Sequence, residues 1–496
     1  MKSIRFIGAV LLSMFALSSC NSGDDSAVLT LEHTALYFAS WDSPAQSVAY
    51  VASNAESVAV SGYSEGWEAY VDGNARQIVV RPVGATTEGT TNADLSKDGY
   101  VTVNALNKKG EASSYYIYLY ISESINLDNE GSERANCYIA TKALANYTFD
   151  AMHRPDGSEL ATESIQLLWQ SNPKVISHAA KSGNNAQFFV NEESSNSGTV
   201  SEANAVIAAY NSAGEVIWSW HIWVTNNNPL LATDTYSNGK SFMRQNLGAF
   251  TNSNGEADEQ KILDSYGMYY QWGRKDPFPR PLFFDASGAY NEDRYNANGT
   301  YISEVVEELT SSIGTINYTT KYPMQFITNA SCIEEDGNGV GDWLVSGDNT
   351  LWSESQKGLY DPCPYGWRVP TAEDLEVLHL ADTEDTASLE TLRKQYGWHL
   401  SDDVSTYFYP ACGRRRYTDG KVENMNYYTK EEYNPSLDYD PQPQPWAGYY
   451  WTSTTDASGK AVAMYFDLRT TRTINKLETN RLVRKANGLQ VRCVKE

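Results

Sequence analysis

The side chains best able to do chemistry are scattered along this chain. His33, His153, His178, His221, His379 and His399 each stand alone. None falls in His-x-x-x-His or Cys-x-x-Cys spacing, so no transition-metal site is expected. Asp336-Gly337-Asn338-Gly339-Val340-Gly341-Asp342 sets oxygen donors at positions 1, 3 and 7 of a glycine-rich loop, as calcium would require. The bidentate glutamate that closes an EF-hand loop is missing, and the segment reads as a hydrated turn. There is no phosphate loop, and the carboxylates form no recognisable acid–base pair. No cofactor, no metal and no enzymatic activity are expected.

A different chemistry is offered between Asn424 and Trp451. Tyr427, Tyr428, Tyr433, Tyr439, Trp446, Tyr449, Tyr450 and Trp451 are interrupted there by Pro435, Pro441, Pro443 and Pro445. Alternating prolines forbid a helix and favour polyproline II or an irregular excursion. Aromatic rings held by proline are pre-ordered, which lowers the entropy cost of binding. Arg414, Arg415 and Arg416 lie just upstream and could grip a carboxylate or an acidic sugar. Arg414, Arg415, Tyr427, Tyr428, Tyr439, Trp446 and Trp451 are therefore the candidate ligand-binding residues. The competing reading is a loop that folds its aromatics into a local core.

The elements that must position such a site come from a chain of 496 residues, about right for three domains. Charged residues are 20% and hydrophobic residues 41%, which excludes a disordered or coiled-coil protein. A net charge of −24 makes nucleic acid a poor partner. The aromatic load is high, with 34 Tyr, 13 Trp and 14 Phe, and it suits β-sheets and wet binding surfaces alike.

Residues 1–19 read as a secretory signal: Lys2 and Arg5 precede an apolar run, Phe6 to Leu17, too short to span a bilayer. The segment ends Leu17-Ser18-Ser19-Cys20, which resembles the lipobox of bacterial lipoproteins. That resemblance implies lipidation of Cys20, an anchor of two or more acyl chains, and membrane attachment through this lipid alone. Asn21-Ser22-Gly23-Asp24-Asp25-Ser26 completes a tether over residues 20–27 and resembles the surface-export signal of Bacteroidetes-type lipoproteins. An outer-membrane lipoprotein exposed on the cell surface is the expected localisation.

Residues 28–124 contain short β-branched and aromatic runs separated by Gly, Asn, Asp and Ser clusters, the pattern of an immunoglobulin-like sandwich. Trp67, Gly73-Asn74 and the strand at Ile78 resemble the BACON domains of gut bacteria. Lys97-Asp98-Gly99 departs from the basic residue usual before the next strand. Residues 127–228 form a second β-rich module, closing on Val216 to Val224. Trp218, Trp220 and Ile222 share one face there, and Ile217, His221 and Trp223 the other. Apolar groups on both faces indicate a strand covered on both sides.

Residues 229–496 carry an ordered set of motifs: Phe242 to Leu247, Tyr266 to Arg274, Asp361 to Thr371, Tyr450 to Thr454 and Gly488 to Val494. This set resembles the Fibrobacter succinogenes major paralogous domain family, which is similar to C-type-lectin-like folds. The fold class expected is thus multidomain, with all-β immunoglobulin-like N-terminal modules followed by an α+β C-type-lectin-like C-terminal domain. Thr371 and Asp374 form a capping box for a helix with Leu375 and Leu378 on its apolar stripe, and a second helix is expected over about Thr386 to Tyr396. With Cys20 set aside, the odd number of remaining cysteines leaves at least one unpaired. The resemblance implies a disulfide between Cys363 and Cys493, both motif positions, although other pairings, or none, are open. The Glu-Pro-Asn, Gln-Pro-Asp and Trp-Asn-Asp sequences of calcium-dependent lectins are absent.

These readings lead to a lipid-anchored cell-surface binding or adhesion protein whose lectin-like head meets glycan or protein ligands. The alternative is an accessory or tip subunit of a fimbrial assembly without glycan binding. Fimbrillin-type maturation cleaves after an early arginine, yet no Lys or Arg occurs between Cys20 and Arg76. A surface enzyme is the third reading.

Overall fold

The computed structural model describes residues 26–32, 34–38, 40–84, 99–193, 196–252, 259–285, 288–332, 341–381, 397–423, 447–467 and 477–496. The chain folds into two compact units that do not follow the order of the sequence. The smaller runs to Leu127 and adds Lys142–Phe149 and Ile176–Gly198. The larger takes Asp128–Thr141, Asp150–Val175 and everything from Thr199. Residues 127–228, expected as a module of their own, are therefore divided between the two. The division at 228/229 does not separate compact units, because strands on either side of it share one core.

In the smaller unit, eight strands make an immunoglobulin-like sandwich. They are β1 (Val28–Leu31), β2 (Ala35–Phe38), β3 (Gln46–Ser53), β4 (Ser57–Tyr63), β5 (Trp67–Asp72), β6 (Gln77–Pro82), β7 (Gly99–Leu106) and β8 (Ala112–Ile121). One sheet has the order β1-β3-β6-β5 and the other β2-β8-β7-β4. Alternation along the strands drives this: β7 buries Gly99, Val101, Val103 and Ala105 and turns the residues between them outward. Those side chains meet Phe38, Val48, Ile78 and Ile117 in the core, with Trp67 among them. Gly99 is required beside that indole, since a Cβ would lie 2.7 Å from Trp67 Nε1. A further four-stranded sheet holds Ile176–Ser182, Asn185–Val190, Ala145–Asp150 and Glu123–Asn126 in that order. Tyr37 fastens it, with its ring stacked 4.0 Å from that of Phe189. The Gln187 amide also donates to the Tyr37 carbonyl at 3.0 Å.

The larger unit is built around a sheet ordered Cys137–Ala140, Val216–Val224, Ala203–Tyr210 and Ser164–Gln170. Both faces of Val216–Val224 are covered: Trp218, Trp220, His221, Ile222 and Trp223 are all buried. Each ring takes ~150–250 Å² from water, worth roughly 4–6 kcal/mol gross at ~25 cal/mol per Å². Trp223, Trp169, Val206 and Cys137 continue into one core with Met243, Trp272, Trp343, Trp352, Cys363, Trp367, Trp451 and Cys493. Cys363 and Cys493 are disulfide-bonded, and Cys137, Cys332 and Cys412 are unbridged.

Thr371 caps Ala372–Leu375 with the reciprocal Asp374 bond of a capping box. Only one turn forms before the chain passes to the strand His379–Leu380, although Leu375 and Leu378 both enter a core with Trp398 and Phe466. The helix expected over Thr386 to Tyr396 lies outside the described residues. So do the signal, Cys20 and its tether up to Asp25, most of the loop running from Asp336, and Asn424 to Trp446.

Candidate functional site

Among the predicted ligand residues, those in the described part do not form a surface site. Arg415 is fully buried. Its guanidinium lies over the rings of Phe278 and Phe326, 5.5 and 4.6 Å from their centroids, while Nε donates to the Gly420 carbonyl at 2.9 Å. It is ion-paired with Glu304. Trp451 is likewise buried, and its Nε1 donates to the Tyr270 carbonyl at 2.6 Å. Both expectations are corrected: an arginine between two rings, and an indole inside a Trp-rich core, hold the fold together. Arg414 remains half-buried, 5.1 Å from the Tyr449 ring centroid, and Arg416 is paired with Asp419. Tyr427, Tyr428, Tyr439 and Trp446 lie outside the described residues.

The geometry brings a different set together. The strand Ser164–Gln170 ends in Ser171, Asn172 and Pro173, and its last residue forms a β-bridge with Tyr295. The Gln170 N–H donates to the Tyr295 carbonyl at 2.9 Å, and the Tyr295 N–H returns a bond to the Gln170 carbonyl at 2.8 Å. Beyond Tyr295 the chain reverses. Asn296 Oδ1 accepts from the N–H groups of Asn298 and Thr300, and Gly299 takes φ +75°, where a side chain would be strained. This turn pairs Tyr295 with Tyr301, whose ring lies 6.5 Å away nearly edge-on and is 58% exposed.

Below this hairpin lies a pocket of about 400 Å³ lined by Ser171, Asn172, Glu202, Phe250, Arg280 and Glu292, with Asp264, Asp293 and Tyr295 among the rest of the wall. Arg280 is its centre. Nε is paired with Glu292 at 3.0 Å, Nη1 donates to the Leu263 carbonyl at 2.7 Å, and Nη2 lies 3.5 Å from Asp264. Its guanidinium also lies 4.4 Å from the Phe250 ring centroid. Phe250 is held in place because its N–H donates to the Asp264 carbonyl at 2.7 Å. Burial lifts the Glu202 carboxyl above the usual carboxylate range, and bonds from the Asn226 N–H and the Thr225 hydroxyl pull it only partly back. Tyr295 donates to Asp293 at 3.1 Å.

A second hollow, of about 600 Å³, is lined by Asn329, Ser331, Cys332, Asp342, Asn349 and Ser458 among others. Here Lys485 is buried beneath Asp342, with Nζ 3.6 Å from that carboxylate and 2.5 Å from Asn349 Oδ1. Nζ also sits 4.0 Å from the Trp272 ring centroid. Asp342, the last oxygen donor of the calcium-like loop, thus faces a resident ammonium. No group of three or more His, Cys, Asp or Glu among the described residues is placed to hold a metal ion.

Cys332 lines the second hollow as an unbridged thiol. Cys412 is fully buried and burial pushes its thiol far up, as it does that of Cys137. His221 is buried between Asn204 and Tyr270, and burial holds its imidazole down to about 3, so it stays neutral. What the Tyr295 pocket can do is accept hydrogen bonds inside and stack flat groups at its rim. The sequence carried one signal of it: two tyrosines flanking Asn296-Ala297-Asn298-Gly299, a turn that must bring them side by side. The acidic wall carried none, because its residues come from three separated segments.

No family model matches the chain, and no curated protein matches it. Among solved structures it is similar to the Bacteroides ovatus mixed-linkage glucan utilization locus SGBP-B in complex with a mixed-linkage heptasaccharide. Identity there is 10% over 39% of this chain and 43% of that one, with a TM-score of 0.13, so less than half of that protein is spanned. The D00-D0 domain of intimin is 11% identical over 39% of this chain and 96% of its own, at a TM-score of 0.13. A protocadherin gammaB7 cis-dimer structure is 12% identical over 40% and 52%, at 0.15. Likenesses at this level carry no functional inference.

Proposed function

We propose that the chain is a non-catalytic binding protein of the cell surface, held by lipid at Cys20, whose larger unit is a lectin-like head for glycan. The observation that supports the glycan reading is the Tyr295–Tyr301 hairpin above a pocket of hydrogen-bond acceptors. Sugar rings present an apolar face to aromatic side chains and hydroxyl donors to carboxylates, and the pocket wall offers carboxylates together with Tyr295, whose ring neighbours Tyr301. Calcium has no part in this reading. The lectin-like, BACON-like and lipoprotein resemblances of the sequence agree with it.

The test is a glycan array with the full chain, with and without calcium, since the core of the head includes strands that precede residue 229. Saturable binding that survives chelation and falls at least about tenfold in Tyr301→Ala is expected. Tyr301 is exposed, so that change leaves the fold intact. No binding to any glycan, together with co-purification with pilin subunits, would replace this reading with an accessory or tip role in a fimbrial assembly.

A further inference from the structure

The walls of the Tyr295 pocket are unbalanced in charge. Glu202, Asp264, Glu292 and Asp293 face it, and Arg280 is the one basic residue lining it among the described residues. Arg280 is also fully committed, since its guanidinium is used by Leu263, Asp264 and Glu292 and its face by Phe250. An anionic ligand would find no cation to meet it there.

Glu292 adds an independent sign. Its side chain is 10% exposed and one oxygen is paired with Arg280, but its other oxygen is buried with no hydrogen-bond partner. A buried carboxylate oxygen without a donor costs on the order of 1–3 kcal/mol, which a ligand N–H could recover if the Glu292 side chain turned that oxygen toward the pocket it lines. No group of three or more His, Cys, Asp or Glu among the described residues is placed to hold a metal ion. Spread negative charge around a pocket at the lower end of the ~300–1,000 Å³ range suits a compact organic cation.

We propose that this pocket selects a sugar bearing a free amino group, taken as its ammonium form, over neutral and acidic sugars. The inference rests on the glycan reading above and narrows it. The ammonium meets the Glu292 carboxylate, with Glu202 and Asp293 adding negative charge from other walls of the pocket, and the ring lies against Tyr295. This also reverses the expectation drawn from Arg414 to Arg416, which favoured an acidic sugar.

The experiment is calorimetric titration of the full chain with glucosamine oligomers, N-acetylglucosamine oligomers and galacturonate oligomers. Glucosamine oligomers are expected to bind at least about tenfold more tightly than the acetylated ones. That margin should shrink in about 0.5 M salt, where charges are screened within a few ångströms. It should also shrink in Glu292→Gln and, should that variant fold poorly, in Asp293→Asn, whose side chain is exposed. Equal or tighter binding of the acetylated or acidic oligomers overturns the inference while leaving the glycan reading standing. Binding of none of the three, with no hit on the array, overturns both. Equal competition by a lysine peptide shows the amine to be recognised without its sugar and also overturns it.

Discussion

Asn136 donates through its side-chain amide to the backbone carbonyl of Asp361 at 2.9 Å, between residues 225 apart in sequence. The other amide hydrogen reaches the Leu359 carbonyl at 2.7 Å, and Oδ1 accepts from Trp218 Nε1 at 3.2 Å. One buried amide thereby joins the strand Cys137–Ala140, the Trp-rich strand and the loop entering the Cys363 motif. Asn136→Ala would leave two carbonyls and an indole N–H without partners. We expect a loss of about 2–4 kcal/mol in denaturant unfolding of the larger unit, and Asn136→Asp should be no better because it lacks the donors. A change under about 1 kcal/mol would show that water replaces the amide.

The Cys363–Cys493 bridge closes a sequence separation of 130 residues. Chain entropy sets a ceiling of about 5 kcal/mol for such a loop, and removal of a native bridge costs roughly 2–5 kcal/mol. The paired change Cys363→Ser and Cys493→Ser should lower the urea midpoint by a corresponding amount. Reductant should shift the wild type the same way and leave the variant unmoved. A variant still sensitive to reductant would mean that another pair of cysteines is bridged.

Asp342 gives the stability a definite pH dependence. Burial raises its carboxyl to about 6, with Lys485 and the Leu344 N–H holding it from going further. An unfolded aspartate titrates near ~3.9, so the folded chain binds this proton more tightly. The contribution is full at low pH and is lost as pH rises through the window from about 4 to 6. A shift of about two units corresponds to roughly 3 kcal/mol at most. Lys485 acts in the opposite sense higher up: burial lowers its pKa, so its share of stability grows as pH rises towards the ordinary lysine range. Unfolding measured from pH 4 to 7 should fall for this group in the wild type and flatten in Asp342→Asn. An unchanged slope in that variant would place the titration on another carboxyl.

Strand content is legible because period-two patterning is a local signal, as is the two-sided covering of the Val216 to Val224 indoles, whereas the burial of Trp451 is not. The run Val216 to Val224 gave its two covered faces directly, and Thr371 gave the capping box. Ala35–Phe38, Ser57–Tyr63 and Trp67–Asp72 were not read as strands, being short or mixed in polarity. Arg415 misled because a run of three arginines reads as solvated, whereas its neighbours in space, Phe278 and Phe326, are distant in sequence. The Tyr295 pocket was hidden for the same reason. Its acidic residues become a set only when the start of Ala203–Tyr210, the end of the helix Glu259–Asp264 and the segment before Tyr295 are brought together. The sharing of residues 127–228 between two units leaves no compositional trace, since both cores want the same apolar strands.

Interleaved units also fix an order of events as the chain leaves a ribosome or a translocation channel. The smaller unit cannot be completed until Gly198 has emerged. By then Cys137–Ala140 and Ser164–Gln170 are already out, and they must wait for Val216–Val224, Trp367 and finally Cys493 to cover them. Through that interval two strands with apolar faces stand open to any edge that passes, and the Cys363 thiol stays without its partner. The faster the remaining chain follows, the shorter that exposed interval becomes.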